Sequence, residues 1–201
     1  MKPLVAILAL FLATAAVMVG HRAFAQGSPP GQGVYTWVED GKLRQVWLDP
    51  NLIAEFGPTG GQGEPGAGVR EAKGLSGSGP VIRFWTLEEQ TTQEAGLTML
   101  RTANPVGRFS PVFHFQPNGV AKLALPGNVI LFLNPEWDSD QVTDWVAENG
   151  VQVVSALNFG KNILLVASPS GLETLAVANG LRQLEGVVQA VPNWWSEPFT
   201  R

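Results

Sequence analysis

Beyond residue 25 the chain holds a single histidine, His114, the residue type best suited to proton transfer or metal ligation near neutral pH. It stands between Phe113 and Phe115, with no second histidine and no clustered pair of carboxylates to complete a metal shell or orient a base. A structural role is therefore expected for it. The acidic group Asp138, Asp140 and Asp144 falls in and just after the start of a helical pattern, where carboxylates favour the positive end of the helix dipole. Solvated first-turn acids account for them without a cation. The glycines between 57 and 80 neither follow a strand nor open a helix, as a phosphate-binding loop requires. Cysteine is absent, which removes disulfides, thiolate metal sites, a thiol nucleophile and a lipidated N-terminal cysteine together. No catalytic residue, metal site or cofactor is expected, and the chain reads as a binding protein rather than an enzyme.

The seven tryptophans are the next candidates. Trp145 lies at core spacing on its helix, and Trp137 precedes that helix where a hydrophobic staple would sit. Trp194 and Trp195 follow the last strand, and paired aromatics are common anchors at interfaces. One is expected to pack against the domain and the other to meet a partner.

The elements that position these residues begin after a targeting segment. Lys2 supplies a positive start, Leu4 to Val19 is almost wholly apolar, and Ala23-Phe24-Ala25 fits a small-x-small cleavage site. Export to the periplasm or outside the cell, with cleavage near Ala25, is the reading; the alternative is an uncleaved single-span anchor, the one route to a membrane. Loss of Lys2 and Arg22 leaves 11 basic against 17 acidic residues, a formal charge of −6, so nucleic acid is excluded as a partner. With 201 residues, 45% hydrophobic and 15% charged, one compact domain with an appendage is expected.

Val34 to Val38 and Leu43 to Leu48, joined through Asp40-Gly41, predict a β-hairpin, with a further short strand at Leu52 to Phe56. Residues 57–80 are glycine-rich with almost nothing large and apolar, and read as a mobile linker. Val81 to Leu87 reads as a strand, Thr91 to Thr102 as a short helix or an irregular passage, and Val112 to Phe115 as a strand before the turn Pro117-Asn118-Gly119.

The C-terminal region is more regular. Val129 to Leu133 is a buried strand; Asp138 with Gln141 forms a capping box for a helix ending near Gly150; Val151 to Leu157 and Ile163 to Ala167 are strands around a turn at 159–162. Ser170 with Glu173 predicts a second capping box, a helix to about Leu184 follows, and Val187 to Val191 closes the set. The fold class is thus α+β, a ferredoxin-like β-α-β-β-α-β domain with an N-terminal β-hairpin extension, its helices on one sheet face and the other face open. The division is 1–25 signal peptide, 26–56 hairpin extension, 57–80 linker, 81–124 β-rich connection, 125–195 main domain and 196–201 tail.

Leu125-Pro126-Gly127-Asn128-Val129-Ile130 entering the domain, Ser168-Pro169-Ser170-Gly171-Leu172 opening its second helix and Val187 to Trp195 closing it resemble the propeptide of subtilisin-type serine proteases, in its longer, fervidolysin-like form. The resemblance covers about Ser110 to Trp195. It implies that the open sheet face, from Val129 to Leu133, Val151 to Leu157, Ile163 to Ala167 and Val187 to Val191, packs on a protease and assists its folding. The tail Asn193, Trp194, Trp195, Ser196, Glu197, Pro198, Phe199, Thr200 and Arg201 would then lie in the active-site cleft by strand addition. The aspartate, His-Gly and Gly-Thr-Ser segments of the protease itself are absent from the sequence. The expected function is that of an exported chaperone or inhibitor of a subtilisin-type protease. The alternatives are the N-terminal piece of a longer precursor, or an interaction module without a protease partner.

Overall fold

A computed structural model describes residues 33–57, 67–72 and 82–197. The segment expected to be a signal peptide with its cleavage site, most of the stretch expected to be a linker, and Pro198 to Arg201 lie outside the described residues. Strand β1 (Val34–Glu39) pairs antiparallel with β2 (Lys42–Phe56), in register from Val34 opposite Trp47 to Glu39 opposite Lys42. Asp40 and Gly41 make the turn with φ of 51° and 68°, the left-handed pair that a two-residue hairpin matched to strand twist demands. The expected short strand at Leu52 to Phe56 is the second half of β2 itself, which runs for 15 residues.

Beside β2 lies β5 (Arg108–His114), and their register breaks between Asp49 and Ile53. Pro50 sits in that break, where a missing N–H removes nothing from the ladder. The break lets one long strand serve two neighbours on its other side: β1 along its start and β4 (Ile82–Leu87) along its end. The edge beyond β4 is β3 (Val69–Ala72), so part of the stretch read as linker is a strand. Val69 is its one buried side chain, packed with Trp85 and Leu87. Helix α1 (Gln93–Ala103) decides the passage left open at 91–102; Thr92 Oγ1 accepts from the Ala95 N–H as its cap, and Gly96 passes close under Leu87 and Ile53. Two short strands, β6 (Leu123–Ala124) and β11 (Trp195–Ser196), complete a sheet ordered β11-β6-β5-β2-β4-β3.

The second sheet follows the predicted order of elements: β7 (Asn128–Leu133), α2 (Ser139–Glu148), β8 (Val153–Ala156), β9 (Ile163–Ala167), α3 (Leu172–Leu181) and β10 (Val187–Pro192). Its strands are ordered β10-β7-β9-β8, every neighbour antiparallel, which makes the whole a mixed α+β structure. The capping box of α2 is formed as read: Asp138 Oδ1 accepts from the Asp140 and Gln141 N–H groups, and Gln141 Oε1 accepts from the Asp138 N–H.

The predicted box of α3 is not formed. Gly171, with φ 83°, is the N-cap and brings no side-chain hydrogen bond, and the helix stops at Leu181 rather than Leu184. The reason is tertiary: Gly171 N–H donates to Leu125 O, and its Cα faces Phe109 O and Pro111 Cδ so closely that a Cβ would stand 3.3 Å from each. Thr174, fully buried, donates instead to Pro169 O.

Val129, Leu131 and Leu133 alternate into a core with Leu164, Val166, Ala190, Trp145 and Ala178. Trp145 fills its expected core place and donates its Nε1–H to Glu185 O. Helix α3 is apolar on more than one side because it lies between the sheets: Ala178 enters this core, while Leu175 joins Trp37, Val46, Phe113, Leu123 and Leu125. The sheets are also tied by their strands. β6 leads into β7 and β10 into β11, so the pairs β7–β10 and β6–β11 form one antiparallel ribbon crossing from sheet to sheet. Asn193 N–H donates to Asn128 O at the crossing, and Glu197 N–H to Lys122 O beyond it.

Candidate functional site

Strand alternation sorts the expected contact residues into two sets. Val129, Leu131, Leu133, Leu164, Val166 and Ala190 turn toward the helices and are interior. Ile130 sits opposite both Val191 and Leu165, Phe132 opposite Gln189 and Ile163, and Leu165 opposite Ser155, which places all seven on the face away from α2 and α3. Ile130, Phe132 and Leu165 are half-buried and join none of the interior clusters. Phe159, 64% exposed, extends the patch from the β8–β9 side, its ring 6.4 Å from that of Phe132. The strands at the sheet's two edges each carry a register shift, at Val187/Gln189 and Val153/Ser155, and the residues between, Val188 and Val154, are exposed. Among the described residues Ile163 and Val191 of this set are buried, while Ile130, Phe132 and Leu165 stay partly exposed; partly exposed apolar surface of this continuity is characteristic of interfaces.

The described part of the tail, Asn193 to Glu197, packs on this protein's own first sheet. Trp194 packs 5.1 Å from Trp37 and edge-on at 5.5 Å to Phe113; Trp195 lies 5.7 Å from Phe84 and 6.4 Å from Phe56. Both tryptophans therefore pack on the first sheet, and the expected division, one inward and one toward a partner, does not hold. Trp195 and Ser196 pair with Ala124 and Leu123, and Glu197 closes the segment with an ion pair, Oε2 to Lys122 Nζ at 3.1 Å. Phe56, Phe84, Trp37 and Phe113 were missed as tail partners. Their one signal was a surplus of aromatics at the start of the chain with no assigned core.

His114 has partners that its neighbourhood in sequence does not show. Nε2 is 3.0 Å from Asp49 Oδ2, and Nδ1 is 2.9 Å from Ala121 O. Asp49 Oδ1 also accepts from the Asn51 N–H. Both ring nitrogens are engaged in fixing the bend of β2 to the loop before β6, an arrangement suited to positioning backbone. Asp138 and Asp140 serve the start of α2 and Asp144 is exposed; among the described residues no group of three or more acidic, histidine or cysteine side chains could hold a metal ion.

A buried carboxylate on β2, Glu55, is the strongest polar centre of the first sheet. It accepts from Arg83 Nη2 at 3.1 Å, Trp85 Nε1 at 2.9 Å and Asn104 Nδ2 at 2.6 Å. These donors are inward-facing groups of β4 and the end of α1, which marks the cluster as a structural joint. Among the described residues no helix is long and apolar enough to cross a membrane. No protein-family model, curated protein or solved structure matches the chain.

Proposed function

We propose that this chain is an exported, non-catalytic protein of the subtilisin-propeptide type, which binds a subtilisin-type serine protease as folding chaperone and inhibitor. Its second sheet with α2 and α3 is a ferredoxin-like module, a reading supported by the element order and by the strand order β10-β7-β9-β8. The observation that carries the proposal is the partly exposed apolar face of Ile130, Phe132, Leu165 and Phe159, on the side of the sheet opposite the two helices. Apolar surface held by a hydrogen-bonded sheet offers a partner a preorganised contact and little ordering cost on binding. Residues 193–201 form the segment for the cleft, with backbone pairing for affinity and alternating side chains for subsites.

A second reading, an interaction module with no protease partner, is favoured by the packing of Trp194 and Trp195 within the protein. The two readings separate in an inhibition assay with residues 26–201 and a co-encoded subtilisin-type protease. Phe132→Glu and Leu165→Glu turn a charge onto the open face without entering either core, so the fold is retained and inhibition falls about tenfold or more. Absence of both inhibition and folding rescue by the unaltered protein at micromolar concentration would sink the protease reading. Deletion of residues 193–201 with partner binding unchanged would favour the module.

A further inference from the structure

We infer that the segment Asn193–Glu197 is a latch with two alternative seats, one on the protein's own first sheet and one on its partner. The inference rests on the protease-binding reading above and concerns the regulation of that site. Its basis is a conflict of use. A strand laid in a cleft presents alternating side chains to the partner, yet here Trp194 and Trp195 are both committed inward, to Trp37 and Phe113 and to Phe84 and Phe56. The backbone is committed as well, through the Trp195–Ala124 and Ser196–Leu123 pairs and the bond from Glu197 N–H to Lys122 O. The tail cannot hold both seats at once.

The closed seat is built for release. The β11 strand is two residues long and, among the described residues, is paired on one side only. Both tryptophans are half-buried, in contrast to Phe56, Phe113 and Leu125, which are fully enclosed. The terminal fastening is the backbone bond from Glu197 N–H to Lys122 O and one ion pair between the same residues, whose side chains are 25% and 19% exposed. Pro192 ends β10, and the chain then turns tightly, Trp194 N–H donating to Pro192 O; the segment would swing beyond Asn193, whose N–H bond to Asn128 O stays with the β10–β7 pair. Apparent affinity for the partner is lowered by the fraction of molecules that are latched.

Because the chain has no cysteine, the latch can be locked with Lys122→Cys and Glu197→Cys, the positions next in register after Ser196 opposite Leu123 and joined by the bond from Glu197 N–H to Lys122 O. Inhibition of the protease is measured for the oxidised and the dithiothreitol-reduced forms, with Lys122→Ala alongside. The oxidised form is expected to inhibit about tenfold or more weakly than the unaltered protein, and Lys122→Ala about 2–5-fold more strongly. Reduction of the locked form should restore inhibition to at least the unaltered level. Equal inhibition by the oxidised form and the unaltered protein overturns the latch and leaves the protease reading standing. Inhibition by no form at all overturns the protease reading, and the latch is then decided by hydrogen exchange: the Glu197 amide should exchange at least about tenfold faster than that of Leu131, by local opening. Exchange of both amides only on global unfolding overturns it.

Discussion

Replacing Glu55 with leucine removes the acceptor for three donors at once, and the cost follows from where each donor is left. Glu55 itself is 4% exposed, Trp85 7% and Asn104 5%, so water does not reach the freed indole N–H or carboxamide. An unsatisfied buried donor of this kind costs about 1–3 kcal/mol. The Arg83 side chain is 25% exposed and can turn toward solvent, so its loss is about 1 kcal/mol at most. Leucine escapes the desolvation of a carboxylate, which offsets part of the sum and leaves a net loss of about 3 kcal/mol. For a chain of this length that lowers Tm by about 6–12 °C. Urea unfolding followed by tryptophan fluorescence and by circular dichroism would measure it, with Glu71→Gln on the exposed part of β3 as a control that moves by less than about 0.5 kcal/mol. Adding Trp85→Phe to Glu55→Leu removes one stranded donor and should recover about 1 kcal/mol. A Glu55→Leu protein as stable as the original would refute the reasoning, since the three donors would then have needed no carboxylate.

Two further outcomes are open to simple measurement. Tyr35, the chain's one tyrosine, packs edge-on to Phe113 at 5.6 Å, and desolvation raises its pKa above the ordinary 10.0. The folded state therefore retains a proton that the unfolded chain releases, so its contribution is complete below pH 10.0 and is lost as pH rises through the folded value. Phenolate absorbance titrating at 10.0 with the fold intact would contradict this. Gly186, at φ 82°, lies directly against the Trp137 ring, so Gly186→Ala should displace the indole and destabilise by about 2–3 kcal/mol, read by thermal denaturation. No change in stability there would mean that Trp137 has room to move.

What was legible in the sequence was local. Asp40-Gly41 specifies its turn because both residues must adopt positive φ, and Asp138 with Gln141 caps α2 through groups three residues apart. The same rule misread Ser170 and Glu173, because the close approach of β5 settles the start of α3 at Gly171. Strand β3 was hidden because a four-residue edge strand with one buried side chain has no periodicity to detect. His114 and Asp49 stand 65 residues apart, and the tail's aromatic partners are further off still. Of the candidate site, the composition of the open face was readable, and the inward packing of the tail was not.

The paired crossing between the sheets has a consequence for biosynthesis. Phe56 and Phe84 leave the ribosome early, but the indole that covers them and the strand that pairs with β6 emerge only after every strand of the second sheet. The first sheet therefore cannot finish folding ahead of the second, and closure waits on contacts of very high sequence separation. A translation product or proteolytic fragment ending before Trp194 would keep an open aromatic cradle and a bare strand edge. Closure by Trp195 thus separates chains that have reached β11 from those that have not, a difference open to any protease that surveys unfolded chains.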